Sequence, residues 1–149
     1  MNWTNDKSIL LSQVCVAIFG LLLAALDIGC YWATAWFISL RNMPRQSGVA
    51  LMVTLYLCSI FGWLLLIELW KLLGNMKRGE VFTEANVRLL RAVSWCCVGA
   101  AGICFVSCVY YLPFLFVSIA AAFMALIVRI VKNVFQQAAA MKSELDFTV

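Results

Sequence analysis

The sequence predicts an all-α membrane protein with four transmembrane helices, both termini in the cytoplasm, and a fourth span extended as a cytoplasmic amphipathic helix. Three observations carry this. The first is composition: 65% of the 149 residues are hydrophobic and 12% charged, about half the charge that soluble chains carry. The second is the set of apolar runs. A bilayer core takes about 20 apolar residues per helix, and spans fall at about 9–38, 49–73, 92–112 and 113–134. The third is the placement of positive charge. Of the 11 Lys and Arg residues, only Arg41 and Arg45 fall on the side away from the termini. The other nine lie toward the side of the termini, at Lys7, in or next to the central loop of about 74–91 (Lys71, Lys77, Arg78, Arg88 and Arg91), and from Arg129 onward, which makes that side cytoplasmic. One four-span domain accounts for the whole chain.

Span one is too long for the apolar region of a signal peptide, and no clear cleavage site follows it. It reads as a retained helix that must tilt or project. Its outer end carries Tyr31, Trp32 and Trp36, the aromatic residues expected at a membrane interface. Tyr110 and Tyr111 are expected on that same belt, and Trp3, Trp70 and Trp95 on the inner one. The segment "RNMPRQSG" (41–48) is an external turn broken by Pro44 and Gly48. Span two returns and ends at "GNMKRG" (74–79), with Gly74 and Gly79 as stop signals.

The central loop then restarts a helix. Thr83 is an N-cap, Phe82 and Val87 match a hydrophobic staple, and Glu84 sits in the first turn, where the helix dipole favours an anion. Asn86 stands where a capping box would place Glu or Gln. Arg88 and Arg91 share a face and can snorkel to headgroups. Span three carries Cys97, Ala101, Cys104 and Cys108 at helical spacing. A small-residue packing seam explains them; thiol chemistry is the competing reading, and buried apolar cysteines are inert. Spans three and four meet in the short hairpin "YYLPF" around Pro113. Beyond Arg129, Val131, Phe135, Ala138, Lys142 and Leu145 recur at helical spacing. This tail, 135–149, either packs on its own loop or on lipid, or docks a partner.

Asp27 is the one carboxylate well inside a span, which makes it a candidate ligand or ion site. The plainer alternative is a carboxylate wetted near the outer surface, or bonded by the Tyr31 hydroxyl. Glu68 lies three residues before Lys71, so an ion pair explains it. There are seven cysteines, no C-x-x-C and no histidine. No metal site, disulfide framework or catalytic constellation is expected, and no cofactor. Nothing resembles a nucleic-acid reader.

Two segments resemble a known family. "GEVFTEANVRLLR" (79–91) is similar to the central loop of small bacterial four-helix membrane proteins catalogued as domain of unknown function 2975, with Gly79, Phe82, Asn86, Leu90 and Arg91 in the matching places. "MKSELDFTV" (141–149) resembles the usual ending of that family through Glu144, Asp146, Phe147, Thr148 and Val149. The resemblance covers essentially the whole chain and implies a bacterial plasma-membrane protein. It also implies association with a small helix-turn-helix repressor encoded nearby.

The expected function is therefore non-enzymatic and regulatory. Gly79, Phe82, Asn86, Arg88, Arg91, Glu144 and Asp146 would form a cytoplasmic face that binds such a transcriptional regulator. The alternative is an oligomeric small-molecule or ion transporter or channel using Asp27, since four spans are few for alternating access. Membrane lipid is the certain neighbour of such a chain, and a homo-oligomer is compatible with either reading.

Overall fold

A computed structural model describes residues 3–42 and 44–148, with side chains from Lys7 onward. The side chain of Trp3, expected on the inner belt, and Val149 in the ending lie outside the described residues. Four helices follow in order: α1 Trp3–Arg41, α2 Arg45–Lys77, α3 Glu84–Ser107 and α4 Pro113–Phe147. All four are long and apolar enough to cross a membrane.

Each helix packs against its neighbour in the chain: α1 on α2, α2 on α3, α3 on α4. The helices thus form a sequential row, with no α1–α4 packing among the described residues to close a ring. Phe37 at the end of α1 meets Tyr111 between α3 and α4, with ring centroids 5.8 Å apart. Phe82 of the central loop meets Phe135 of α4 at 5.3 Å. These contacts mark two ends, here called the hairpin end and the loop end.

The α3–α4 contact is set by two reciprocal bonds. The Ser94 hydroxyl donates to the Ala125 carbonyl at 3.1 Å, and the Ser118 hydroxyl donates to the Ala101 carbonyl at 2.8 Å. Small hydroxyl residues permit close approach and supply interhelical bonds where lipid offers none. Cys97, Ala101 and Cys104 are buried on α3, as the packing seam requires. Gly99 faces α2: a Cβ there would lie 2.6 Å from the Phe61 ring.

Several expectations change at the helix ends. Gly48 and Gly74 do not break helix; both lie inside α2. Gly48 is buried, with Ile38 packed where its side chain would be. Tyr110 and Tyr111 do not join an outward belt. The Tyr110 hydroxyl donates to the Ala50 carbonyl at 3.2 Å and bonds Thr54, which shares a 2.8 Å bond with Ser107. Tyr31, Trp32 and Trp36 remain exposed. Phe135 and Ala138 are half-buried, but Leu145 and Phe147 stand exposed, so the extension packs only through its first turns.

Candidate functional site

At the loop end, α2 stops through a backbone device. The Glu80 N–H donates to the Asn75 carbonyl at 3.1 Å and the Gly79 N–H to the Met76 carbonyl at 3.0 Å. That pair of bonds is a Schellman motif, and its left-handed position is Gly79, with φ +83°. Helix α3 restarts at once. Thr83 is its N-cap, accepting the Asn86 N–H at 3.4 Å. Gly79 is therefore a turn former; nothing in its surroundings would contact a side chain.

Asn86 holds this turn together. Its Nδ2 donates to the Glu80 carbonyl at 2.6 Å and the Val81 carbonyl at 2.8 Å, while its Oδ1 accepts from Asn75 Nδ2 at 2.8 Å. Asn75 Oδ1 in turn accepts from Arg78 at 2.6 Å. The Asn86 side chain is fully buried, at 0% exposure. It cannot touch a partner directly, which corrects its expected role as a contact residue. A buried amide must place both donors and its acceptor, and here the loop's own backbone provides the places.

The loop and the α4 extension enclose an open cleft of about 690 Å³. Phe82, Arg88, Arg91 and Asp146 all line it, together with Glu84 and Lys142. Four residues singled out in two segments about 60 positions apart thus meet at one place. Glu144 lies on α4 but does not line this cleft; its carbonyl accepts the Thr148 hydroxyl at 3.0 Å. Gln136, Ala139, Ala140 and Ser143 line the α4 wall and were not singled out. Their three- and four-residue spacing, running on to Asp146, is the signal that could have found them. Both walls carry cations and acids, Glu84, Arg88 and Arg91 on one and Lys142 and Asp146 on the other, with Phe82, Val87, Ala139 and Ala140 supplying apolar lining.

Asp27 lies elsewhere, between α1 and α2. Its Oδ2 accepts from Trp63 Nε1 at 2.9 Å, and its carbonyl accepts the Tyr56 hydroxyl at 3.3 Å. The bonding partner of the carboxylate is therefore Trp63, not Tyr31. At ~1.5 Å per residue, Asp27 is about 21 Å along α1 from Arg41, and Trp63 about 27 Å along α2 from Arg45. Both lie inside the apolar stretches of their helices, with Asp27 one turn from the exposed Tyr31 and Trp32. Glu68 pairs with Lys71 at 3.2 Å, as its spacing predicts.

No curated protein and no solved structure matches the chain. A family model described as Protein of unknown function (DUF2975) matches residues 29–149. That span takes in α2, α3, α4, the loop with Gly79 and Asn86, and the whole cleft. On this match, which covers most of its length, the chain belongs to the DUF2975 family.

Proposed function

We propose that this is a non-enzymatic regulatory membrane protein whose loop-end cleft holds a small cytoplasmic partner, a helix-turn-helix transcriptional regulator being the class implied by the family's gene context. One observation carries the reading: Phe82, Arg88 and Arg91 from the central loop and α3, and Asp146 from the far end of α4, line the same cleft. Two further features support it. The cations concentrate at this end, which favours the cytoplasmic side. Leu145 and Phe147, exposed at 67% and 92%, leave apolar surface beside the cleft. Exposed apolar side chains rimmed by charge are a common mark of a protein-binding face.

In this role the membrane-spanning row sets the position of the cleft. A change in α3–α4 packing would alter its width and release or retain the regulator. Co-purification from detergent-solubilised membranes with a regulator encoded beside the gene tests the reading. Retention by wild type and its loss in Arg88→Gln with Asp146→Asn would support it. A regulator that is not retained by wild type, or is equally retained by the variant, would overturn it.

The alternative, an oligomeric transporter or channel, is favoured by one observation: a carboxylate, Asp27, inside a candidate span and bonded to Trp63 of α2. Liposome flux that disappears in Asp27→Asn would favour that reading, and no flux of any candidate solute would end it.

A further inference from the structure

Arg91, Arg129 and Lys132 bring three cations into a second, smaller cleft between α3 and α4. The register explains why. The Ser94–Ala125 and Ser118–Ala101 bonds fix the helices antiparallel. One turn from Ser94 toward the loop end, Arg91 comes level with Arg129, and Lys132 follows a turn later on α4. Ser94, Trp95 and Val98 complete the lining, in a volume of about 110 Å³. That is roughly four times the share of liquid volume taken by one water, enough for one phosphate group.

No acid lines this cleft. None of the three cations has an ion-pair partner among the described residues. Three like charges gathered without a counter-charge repel one another, and an anion between them removes that cost. The depth identifies the source. Between Pro113 and Val128, α4 carries no charge, so Arg129 is the first ionic group met on leaving the apolar span. Trp95 is 68% exposed and Val98 also faces outward. They give the cleft an apolar wall on the membrane side, with the indole at the headgroup level it favours. A soluble phosphate would leave that wall unused, whereas a phospholipid satisfies both halves.

The geometry points to a binding site for the phosphate headgroup of an acidic phospholipid, held by Arg91, Arg129 and Lys132, with Trp95 and Val98 against its upper acyl chain. Basic pockets between membrane helices recognise lipid headgroups in this way. The site does not rest on the partner-docking reading; Arg91 alone lines both clefts.

The test uses the full chain in membranes of equal parts phosphatidylglycerol and phosphatidylcholine, extracted with mild detergent. The ratio of the two lipids retained is then measured. Wild type is expected to retain phosphatidylglycerol selectively. Arg129→Gln with Lys132→Gln should lower the selectivity by about fivefold per cation removed. Lys77→Gln with Lys142→Gln makes the same charge change outside the cleft and should leave it intact. Equal selectivity in both double variants would overturn the site. A second measurement on the chain without charge changes compares quenching by brominated phosphatidylglycerol and brominated phosphatidylcholine, taking Trp95 as the difference between wild type and Trp95→Phe. Stronger quenching by the phosphatidylglycerol is expected, and equal quenching overturns the site. Stabilisation by inorganic phosphate in phosphatidylcholine-only nanodiscs, equal to that by phosphatidylglycerol, would assign the cluster to a soluble anion and end the lipid proposal.

Discussion

Replacing Asn86 with alanine should open the central loop without disturbing the membrane row. Three side-chain bonds are lost: two from Nδ2 to the Glu80 and Val81 carbonyls and one to Oδ1 from Asn75. Each is worth ~1 kcal/mol net, so the local cost is about 3 kcal/mol. Because every 1.4 kcal/mol is tenfold, local opening should become on the order of a hundredfold more frequent. Amide hydrogen exchange, read by mass spectrometry on peptides covering 78–87, reports it directly. The Gly79, Glu80 and Val87 N–H groups are the reporters, since each donates to a carbonyl of this turn. Peptides from α1 should exchange as in wild type. Asn86→Asp sharpens the test. It keeps the shape but sets an acceptor against two carbonyl oxygens, so it should protect the loop no better than alanine. Unchanged exchange over 78–87 in Asn86→Ala would refute the reasoning that this amide holds the turn.

Four further outcomes are expected. Gly79→Ala places a Cβ at φ +83° and should cost about 1–2 kcal/mol, with Gly79→Asn milder, as read by exchange over the same peptides. Gly99→Val must displace the Phe61 ring and should destabilise α2–α3 packing by about 1–3 kcal/mol in a detergent melt. Asp27→Leu removes the Trp63 bond; the Trp63 emission should shift and the α1–α2 contact lose roughly 0.6 kcal/mol. Ser94→Ala combined with Ser118→Ala should weaken α3–α4 by roughly 1 kcal/mol, twice the usual value of one interhelical bond, measured by the same melt.

Local chemistry was the legible part of this sequence. Four spans, the Gly79 turn, the Thr83 cap and the Pro113 hairpin each follow from residues within a few positions of one another. Helix ends were less legible, because Gly48 and Gly74 punctuate helices in water yet sit inside α2, where Gly48 admits Ile38. Which apolar face meets protein and which meets lipid could not be read from hydropathy, since both are greasy. The hydroxyls mark the difference instead: Ser94, Ser118, Thr54 and Ser107 are all buried at helix contacts. Long-range partners were beyond reach too. Trp63 is 36 residues from Asp27, and an aromatic at the near neighbour Tyr31 was the more local choice. Asn86 shows the same limit: its place in a polar motif suggested a surface contact, but its amide is fully buried and bonds the Glu80 and Val81 carbonyls of its own turn. The cleft itself was half legible: its two walls carried recognisable segments, while Gln136, Ala139, Ala140 and Ser143 on α4 carry no charge to draw the eye.

A photocrosslinking residue at Ala139, on the α4 wall of the cleft, tests the docking role most directly, with position 106 at the exposed hairpin end as its control. In membranes that also contain a helix-turn-helix regulator encoded beside the gene, the proposed partner, the account predicts a covalent adduct with that regulator from position 139 and none from position 106. No adduct from 139, or equal adducts from both positions, would contradict it.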